Sequence, residues 1–404
     1  MSARFLRTGL FLGLAVALAL PMAPAQAEKG EQSKRKSSDQ TIVVRGGTLV
    51  ALPPVVQPGS SPAAPSNTGQ VVATFDPARL GRAVLLERKV GGDWRQVARK
   101  RQDAWGSAAF ATQPGTYRAR TETDKGHELV TGSVVSRTWA PTFEDTFTDA
   151  AVSSSIWNDQ KREHESVYAP RTCARTDPAA HRVEGGVMKL GVALDPTLVD
   201  QRCQYTTDTG AGEQSFLITS QIATENSYAF SHGIAAVRMK PQQARGMHSG
   251  FWMLPEGSKF TDGDPAAGTE IDIMEFFGET PNGRETIGSF VYYYEADWVA
   301  MKHGGLFKDA RQSLSDGASW WDEFHVFSVE WTPEAYVFRV DGREYYRETN
   351  AVSQARQYLV LSMLASDYEL AELTADEIGD TAQVDWVRVW DGTSMAARKA
   401  SRKG

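Results

Sequence analysis

The sequence predicts an all-β protein made of two sandwiches, a small one followed by a large one. Three observations carry this. Short runs of β-branched and aromatic residues recur between Gly, Pro, Asp and Asn punctuation, helical periodicity is scarce, and the runs become longer and more aromatic after Pro141. With 404 residues the chain can hold two or three cores, and 10% aromatic content with 11 Trp excludes a mainly disordered, collagenous or coiled-coil state. Two cysteines exclude a disulfide-dense miniprotein. A formal net charge of −7 argues against a nucleic-acid partner, which needs a basic face.

The first segment reads as an address. Arg4 and Arg7 precede the apolar run Leu10 to Leu20, and Ala25-Gln26-Ala27 closes a stretch of small residues. That is the layout of a secretory signal peptide over residues 1–27, and its apolar run is short for a membrane span. Residues 28–40 are charged, polar and free of aromatics, and are expected to be a flexible leader. No later stretch reads as a transmembrane helix, so a secreted, extracellular chain is expected. Export makes the only two cysteines readable: an oxidising compartment favours a Cys173–Cys203 bridge, and the pair offers too few ligands for zinc.

Residues 41–139 carry the short runs Gln70-Val-Val-Ala-Thr-Phe75, Ala83-Val-Leu-Leu-Glu87, Trp94-Arg-Gln-Val-Ala98 and Thr116-Tyr-Arg-Ala-Arg120. Regular short strands with turn signals predict a small accessory sandwich, immunoglobulin-like in size. The proline-rich stretch Pro53 to Pro65 predicts a long loop or linker. No reactive constellation appears here, and Trp94 and Trp105 are expected in the core rather than on a sugar.

Residues 140–393 read as the large domain. Its strand signals include Gly233 to Lys240, Ser249 to Leu254, Phe290 to Tyr294, Phe324 to Trp331, Ala335 to Val340, Tyr358 to Met363 and Val384 to Trp390, and Asp341-Gly342 marks a hairpin turn. The tail, residues 394–404, is basic and expected to fray.

The sharpest feature of the large domain is Glu270-Ile-Asp-Ile-Met-Glu275. Alternation puts Glu270 and Asp272 on one strand face, with Ile271 and Ile273 on the other. Strict alternation would then send Glu275 into an apolar core, which is costly. One extra residue near Ile273 or Met274, a β-bulge, returns Glu275 to the acidic face. Three carboxylates in one place cannot all ionise easily, so one pKa should rise, giving the ionised and protonated pair that a retaining glycosidase uses. By pattern alone a solvated acidic face or a calcium site stays equally open.

The same hexapeptide resembles the signature of glycoside hydrolase family 16 in its bulged, laminarinase-like form. Further motifs follow in that family's order: Asp145-Thr-Phe147, the strand Gly233 to Lys240, Trp252-Met-Leu254, Phe324-His325, Glu330-Trp331-Thr-Pro333, Asp341-Gly342, and Asp385 to Trp390. The resemblance implies a concanavalin-like β-jelly roll with a cleft. It implies Glu270 as nucleophile, Glu275 as general acid/base and Asp272 as the assisting acid, in a double displacement on a polysaccharide. A β-glucan with β-1,3 or mixed β-1,3/1,4 linkages is the default substrate. Another polysaccharide such as a galactan, a wall-remodelling transglycosylase and a non-catalytic carbohydrate-binding protein are the alternatives, and a monomer is expected.

Substrate contacts are expected from Trp252 and His248, which share a strand face by alternation, and from Arg238, Tyr292, Tyr294 and Trp298. Trp331, Trp386 and His325 are expected to be structural. The resemblance also implies that no cofactor is required, with a structural Ca²⁺ on the far side, held by Asp385 and the backbone near Gly186. Three departures from the family pattern stand out: His248 in place of a cleft Trp, Val291-Tyr-Tyr293 in place of V-H-W, and Ala236 in place of the Glu of the E-x-R-x-K strand. All three are read as substrate-side changes.

Overall fold

The computed structural model describes residues 43–392 except 61–62, 150, 162–169, 209, 258–262, 280–285, 296–298 and 315–316. The expected signal peptide, leader and basic tail, and Trp298, lie outside the described residues. The described chain from Val43 onward forms one compact unit, and its helical content is confined to four short 3-10 turns among the described residues.

Residues 43–136 form two facing sheets. One runs, in spatial order, Val43–Arg45, Glu128–Val130, Gly115–Glu122, Ala83–Val90, Asp93–Arg101, with Val134–Ser136 also on Gly115–Glu122; the other is Thr48–Leu52, Gly69–Thr74, Ser107–Thr112. Leu49, Val71, Phe75, Leu86, Phe110 and Tyr117 fill the space between them.

The large domain is a jelly-roll sandwich of antiparallel sheets. Its first sheet runs His181–Glu184, Val187–Leu194, Thr381–Asp391, Gly233–Lys240, His325–Trp331, Tyr336–Val340, Arg343–Glu348. Its second sheet runs Leu217–Ala223, Gln357–Leu364, His248–Pro255, Glu270–Phe276, Ile287–Tyr294, Ala300–Phe307. Val187–Leu194 bends between the two, because its end also pairs with Leu217–Thr219. Alternation sends Phe251, Met253, Ile271, Leu359, Leu361 and Met363 from the second sheet into the core, against Val237, Phe327, Val329, Val387 and Val389 from the first. Cys173 and Cys203 are disulfide-bonded, with Cα atoms 5.5 Å apart.

The first sheet has a second apolar face. Ile234, Ala236, Val326, Trp386 and Trp390 point away from the jelly-roll core and form one cluster with Leu52, Val55, Val72 and Trp139 of the N-terminal segment. The three-stranded sheet is therefore buried on both sides, which is why every residue from Gly69 to Ala73 is buried rather than every second one. The proline-rich loop lies along the same seam: Gly59 N–H donates to the Phe324 carbonyl at 2.9 Å, and Arg388 donates to the Ala64 carbonyl at 3.1 Å. Gly342 completes it. Its φ of +77° suits the tight turn, and a Cβ there would lie 2.6 Å from Val56 Cγ2.

Candidate active site

The acidic strand carries the expected bulge. Asp272 pairs with Trp252 and Met274 with Phe251, so Ile273 is the extra residue, and the pairing with Ile287–Tyr294 slips between Asp272 and Glu275. Ile273 and Met274 are consecutive yet both fully buried in the core. The bulge thus re-aims Glu275 onto the face that Glu270 and Asp272 share, away from the core. That face belongs to the second sheet, on the opposite side of the sandwich from the N-terminal segment.

Burial and charge then separate the acids. Asp272 is 4% exposed. Burial, then the Glu275 and Glu270 carboxyls, push it well above the ordinary Asp range. Glu275 is also raised: burial leads and Glu369 adds to it, opposed by His248, Lys302 and Arg171. Glu270 lies opposite Tyr292, and Tyr292 lies opposite Lys302, whose ammonium sits 4.0 Å from the Phe290 ring centre and 5.4 Å from that of Tyr292. The Tyr292 hydroxyl is pushed up by burial and by all three acids, so it stays neutral. Tyr294 follows on the same strand face, half-buried.

On the other flank, Trp252 lies on the acidic face with its indole N–H donating to Ser362 Oγ at 3.0 Å, and it packs against Leu254, Tyr358 and Val360. His248 is buried. Its Nδ1 lies 2.7 Å from Glu369 Oε1 and its Nε2 lies 3.9 Å from Glu275 Oε1. Its ring is flanked by Phe277 at 5.2 Å and by the exposed Tyr368 at 6.3 Å. Arg171 is also buried at this end; burial lowers its pKa, while Tyr368, Glu369, Glu275 and Glu270 oppose that. The segment carrying it is tied down beside Tyr368, because Thr172 N–H and Oγ1 both donate to the Asp367 carboxylate, at 2.8 and 2.6 Å.

One expectation requires correction. Arg238 is not in the cleft. It lies on the other sheet, 3% exposed, ion-paired to Asp385 at 2.6 Å and donating to the Gln57 carbonyl at 3.0 Å and to the Gly59 carbonyl. Alternation puts Ala236 on that same docking face, so the missing Glu of the E-x-R-x-K pattern reflects the attached sandwich rather than the substrate. Asp385, named above for calcium, has its carboxylate ion-paired to that guanidinium. Gly186 lies in a turn near Asp385, and no group of three or more His, Cys, Asp or Glu is placed to hold a metal among the described residues. Trp331, Trp386 and His325 are fully buried; His325 Nδ1 lies 2.7 Å from the Asp341 carboxylate at the hairpin turn.

Glu369, Arg171 and Lys302 went unread in the sequence. They reach the acids from loops and from an edge strand, at separations that follow no spacing rule. Only Ser-Asp-Tyr-Glu369, directly after the apolar run ending at Leu364, marked a polar turn at a strand end facing the acids.

Residues 195–388 match the family model for glycosyl hydrolases family 16. That segment is similar to the family 16 glycoside hydrolases. Among curated proteins it is 27% identical over 188 residues to a glucan endo-1,3-beta-glucosidase A1 of Niallia circulans, covering 43% of this chain and 26% of that one. It is 25% identical over 203 residues to a beta-glucanase of Rhodothermus marinus, covering 50% and 59%. The chain therefore spans less than two thirds of either relative. A similar solved structure is the laminarinase from Rhodothermus marinus, at 18% identity and TM-score 0.48, covering 63% of this chain and 97% of that one. The matched segment lies within the jelly roll, and the sandwich at residues 43–136 precedes it.

Proposed function

We propose that the chain is a secreted, retaining endo-β-glucanase that cleaves β-1,3 or mixed β-1,3/1,4 glucan by double displacement. The observation that carries this reading is the bulged strand: it turns Glu270, Asp272 and Glu275 outward together, with Asp272 and Glu275 held toward their protonated forms. The family match and the glucanase relatives support it, and the Cys173–Cys203 bridge suits an oxidising, extracellular setting.

In this mechanism Glu270 attacks the anomeric carbon while Glu275 gives its proton to the leaving glycosidic oxygen. The product is a glycosyl ester on Glu270. Glu275, now ionised, takes a proton from water, and the resulting hydroxide oxygen displaces Glu270. Asp272, between them and kept protonated, donates to Glu270 and so limits its basicity as the ester forms and breaks. Trp252 and the Tyr292 and Tyr294 rings flank the acids and offer faces for sugar rings.

The test is hydrolysis of laminarin and barley glucan with product sizing, and the anomeric configuration of the first-formed product read by NMR. Glu270→Gln should reduce turnover by about 10³-fold or more with an unchanged melting temperature. Inverted product, or full activity in the variant, would overturn the reading.

A further inference from the structure

The family pattern has a Trp where this chain has His248, and the structure gives that histidine a buried acidic partner. Glu369 comes from the turn after the neighbouring strand Gln357–Leu364 and meets His248 Nδ1 at 2.7 Å, while the other ring nitrogen faces Glu275 at 3.9 Å. Glu369 Oε1 also accepts the Ser366 N–H at 2.7 Å, so its carboxylate is anchored independently of the histidine. Both residues are buried, at 3% and 6% exposure, where an unpaired charge would be expensive.

We propose that His248 and Glu369 form a permanent ion pair whose positive end points at Glu275 and steadies the Glu275 carboxylate in the glycosyl-enzyme half of the cycle. This rests on Glu275 being the acid/base. His248 is then a positioning and charge-setting residue that acts through Glu275.

The physical argument is differential. In the free enzyme Glu275 is neutral and gains little from a neighbouring cation. After it has protonated the leaving group it is an anion in a buried site, and the imidazolium then stabilises it most. Without Glu369 the imidazole would surrender its proton, because burial opposes its charge; Glu369 and then Glu275 outweigh that burial. The other charges facing Glu275 are accounted for. Glu270 and Asp272 come from its own strand, Lys302 from the edge strand and Arg171 from the loop before the disulfide. Burial first, then the three acids of the bulged strand, hold the Tyr292 hydroxyl neutral. His248 places its ring nitrogen 3.9 Å from the Glu275 carboxylate.

The sign of the effect is definite. Losing the imidazolium makes Glu275 harder to ionise, so its pKa rises. The alkaline limb of kcat/KM reports protonated Glu275 in the first step. With a nitrophenyl β-glucan oligosaccharide, whose leaving group needs no acid, the acid limb of kcat reports ionised Glu275 in the second step. In His248→Asn both limbs should move to higher pH by about one unit. In the near-isosteric Glu369→Gln both should move the same way but less, since the repelling carboxylate goes as well. A uniform loss of rate with both limbs in place, or a shift to lower pH, would overturn the proposal.

A second measurement needs no activity. In NMR spectra of the full chain with labelled histidine, the resonance missing from His248→Asn should stay charged at pH 7 in the wild type. It should be neutral at pH 7 in Glu369→Gln, because burial then opposes the charge. A neutral His248 at pH 7 in the wild type would equally overturn it. A wild type inert on every glucan would sink the proposed function and leave this readout standing.

Discussion

At the residue scale the acids are held in a state that the fold resists. Asp272 is buried beside two other carboxyls, so its folded pKa lies above that of the unfolded chain. Between those two values the folded state binds more protons than the unfolded one, and stability falls as pH rises through that window, which opens near pH 4. Asp272→Asn removes this slope. The variant should melt higher than wild type at pH 7, by about 2–4 °C for each kcal/mol relieved, and the gain should vanish at about pH 3.5, where the wild-type carboxyl is protonated in both states. Equal melting temperatures at both pH values would show that Asp272 is not strained by ionisation. The acids were legible in the sequence because two physical rules collided there: alternation demanded that Glu275 point inward, and burial cost forbade it. Glu369 and Arg171 offered no such collision. They are ordinary charged loop residues until the fold brings them beside His248 and Glu275.

At the element scale the bulge is the device on which the site depends, and it leaves a signature that substitution can read. In a regular strand one of two consecutive side chains faces out and tolerates a polar atom. Here Ile273 and Met274 both lie in the core at 0% exposure. Ile273→Asn and Met274→Asn should therefore each cost about 3 kcal/mol or more, from lost burial plus an unsatisfied amide. Equilibrium urea unfolding measures this, and a cost under about 1 kcal/mol at either position would mean that the strand alternates there after all. Strands exposed on one face, such as Gly115–Glu122 with Tyr117 and Ala119 inward and Arg118 and Arg120 outward, were readable from alternation alone. Strands buried on both faces, such as Gly233–Lys240 and His325–Trp331, were readable as strands. The meaning of their second apolar face was not, because a continuous apolar run does not say what covers each side.

At the scale of the whole molecule that second face explains why Arg238, which looked like a substrate contact, has another task. The sheet opposite the acids would expose Trp386, Trp390, Ile234 and Val326 if the N-terminal sandwich were absent. Arg238 sits at the edge of this cluster and ties three things together: the Asp385 carboxylate, the Gln57 and Gly59 carbonyls of the proline-rich loop, and the Phe324 ring, 4.8 Å from its guanidinium carbon. Arg343, ion-paired to Asp103 and 5.9 Å from the Trp105 ring, clamps another part of the seam. Because the acids occupy the far face of the other sheet, loosening this seam should not reach them. Arg238→Ala is therefore expected to lower stability by about 2–4 kcal/mol while leaving kcat/KM on laminarin within about twofold of wild type, a change under 0.5 kcal/mol in barrier. Urea unfolding and steady-state kinetics on the same preparation separate the two effects. A tenfold loss of kcat/KM with an unchanged unfolding midpoint would return Arg238 to the substrate. The same logic applied to the whole interface predicts that residues 140–404 expressed alone, with an apolar patch of several buried tryptophan and aliphatic side chains laid bare, will associate or precipitate. Recovery of a monodisperse, fully active fragment would show that the sandwich is a passenger rather than the missing cover of the jelly roll.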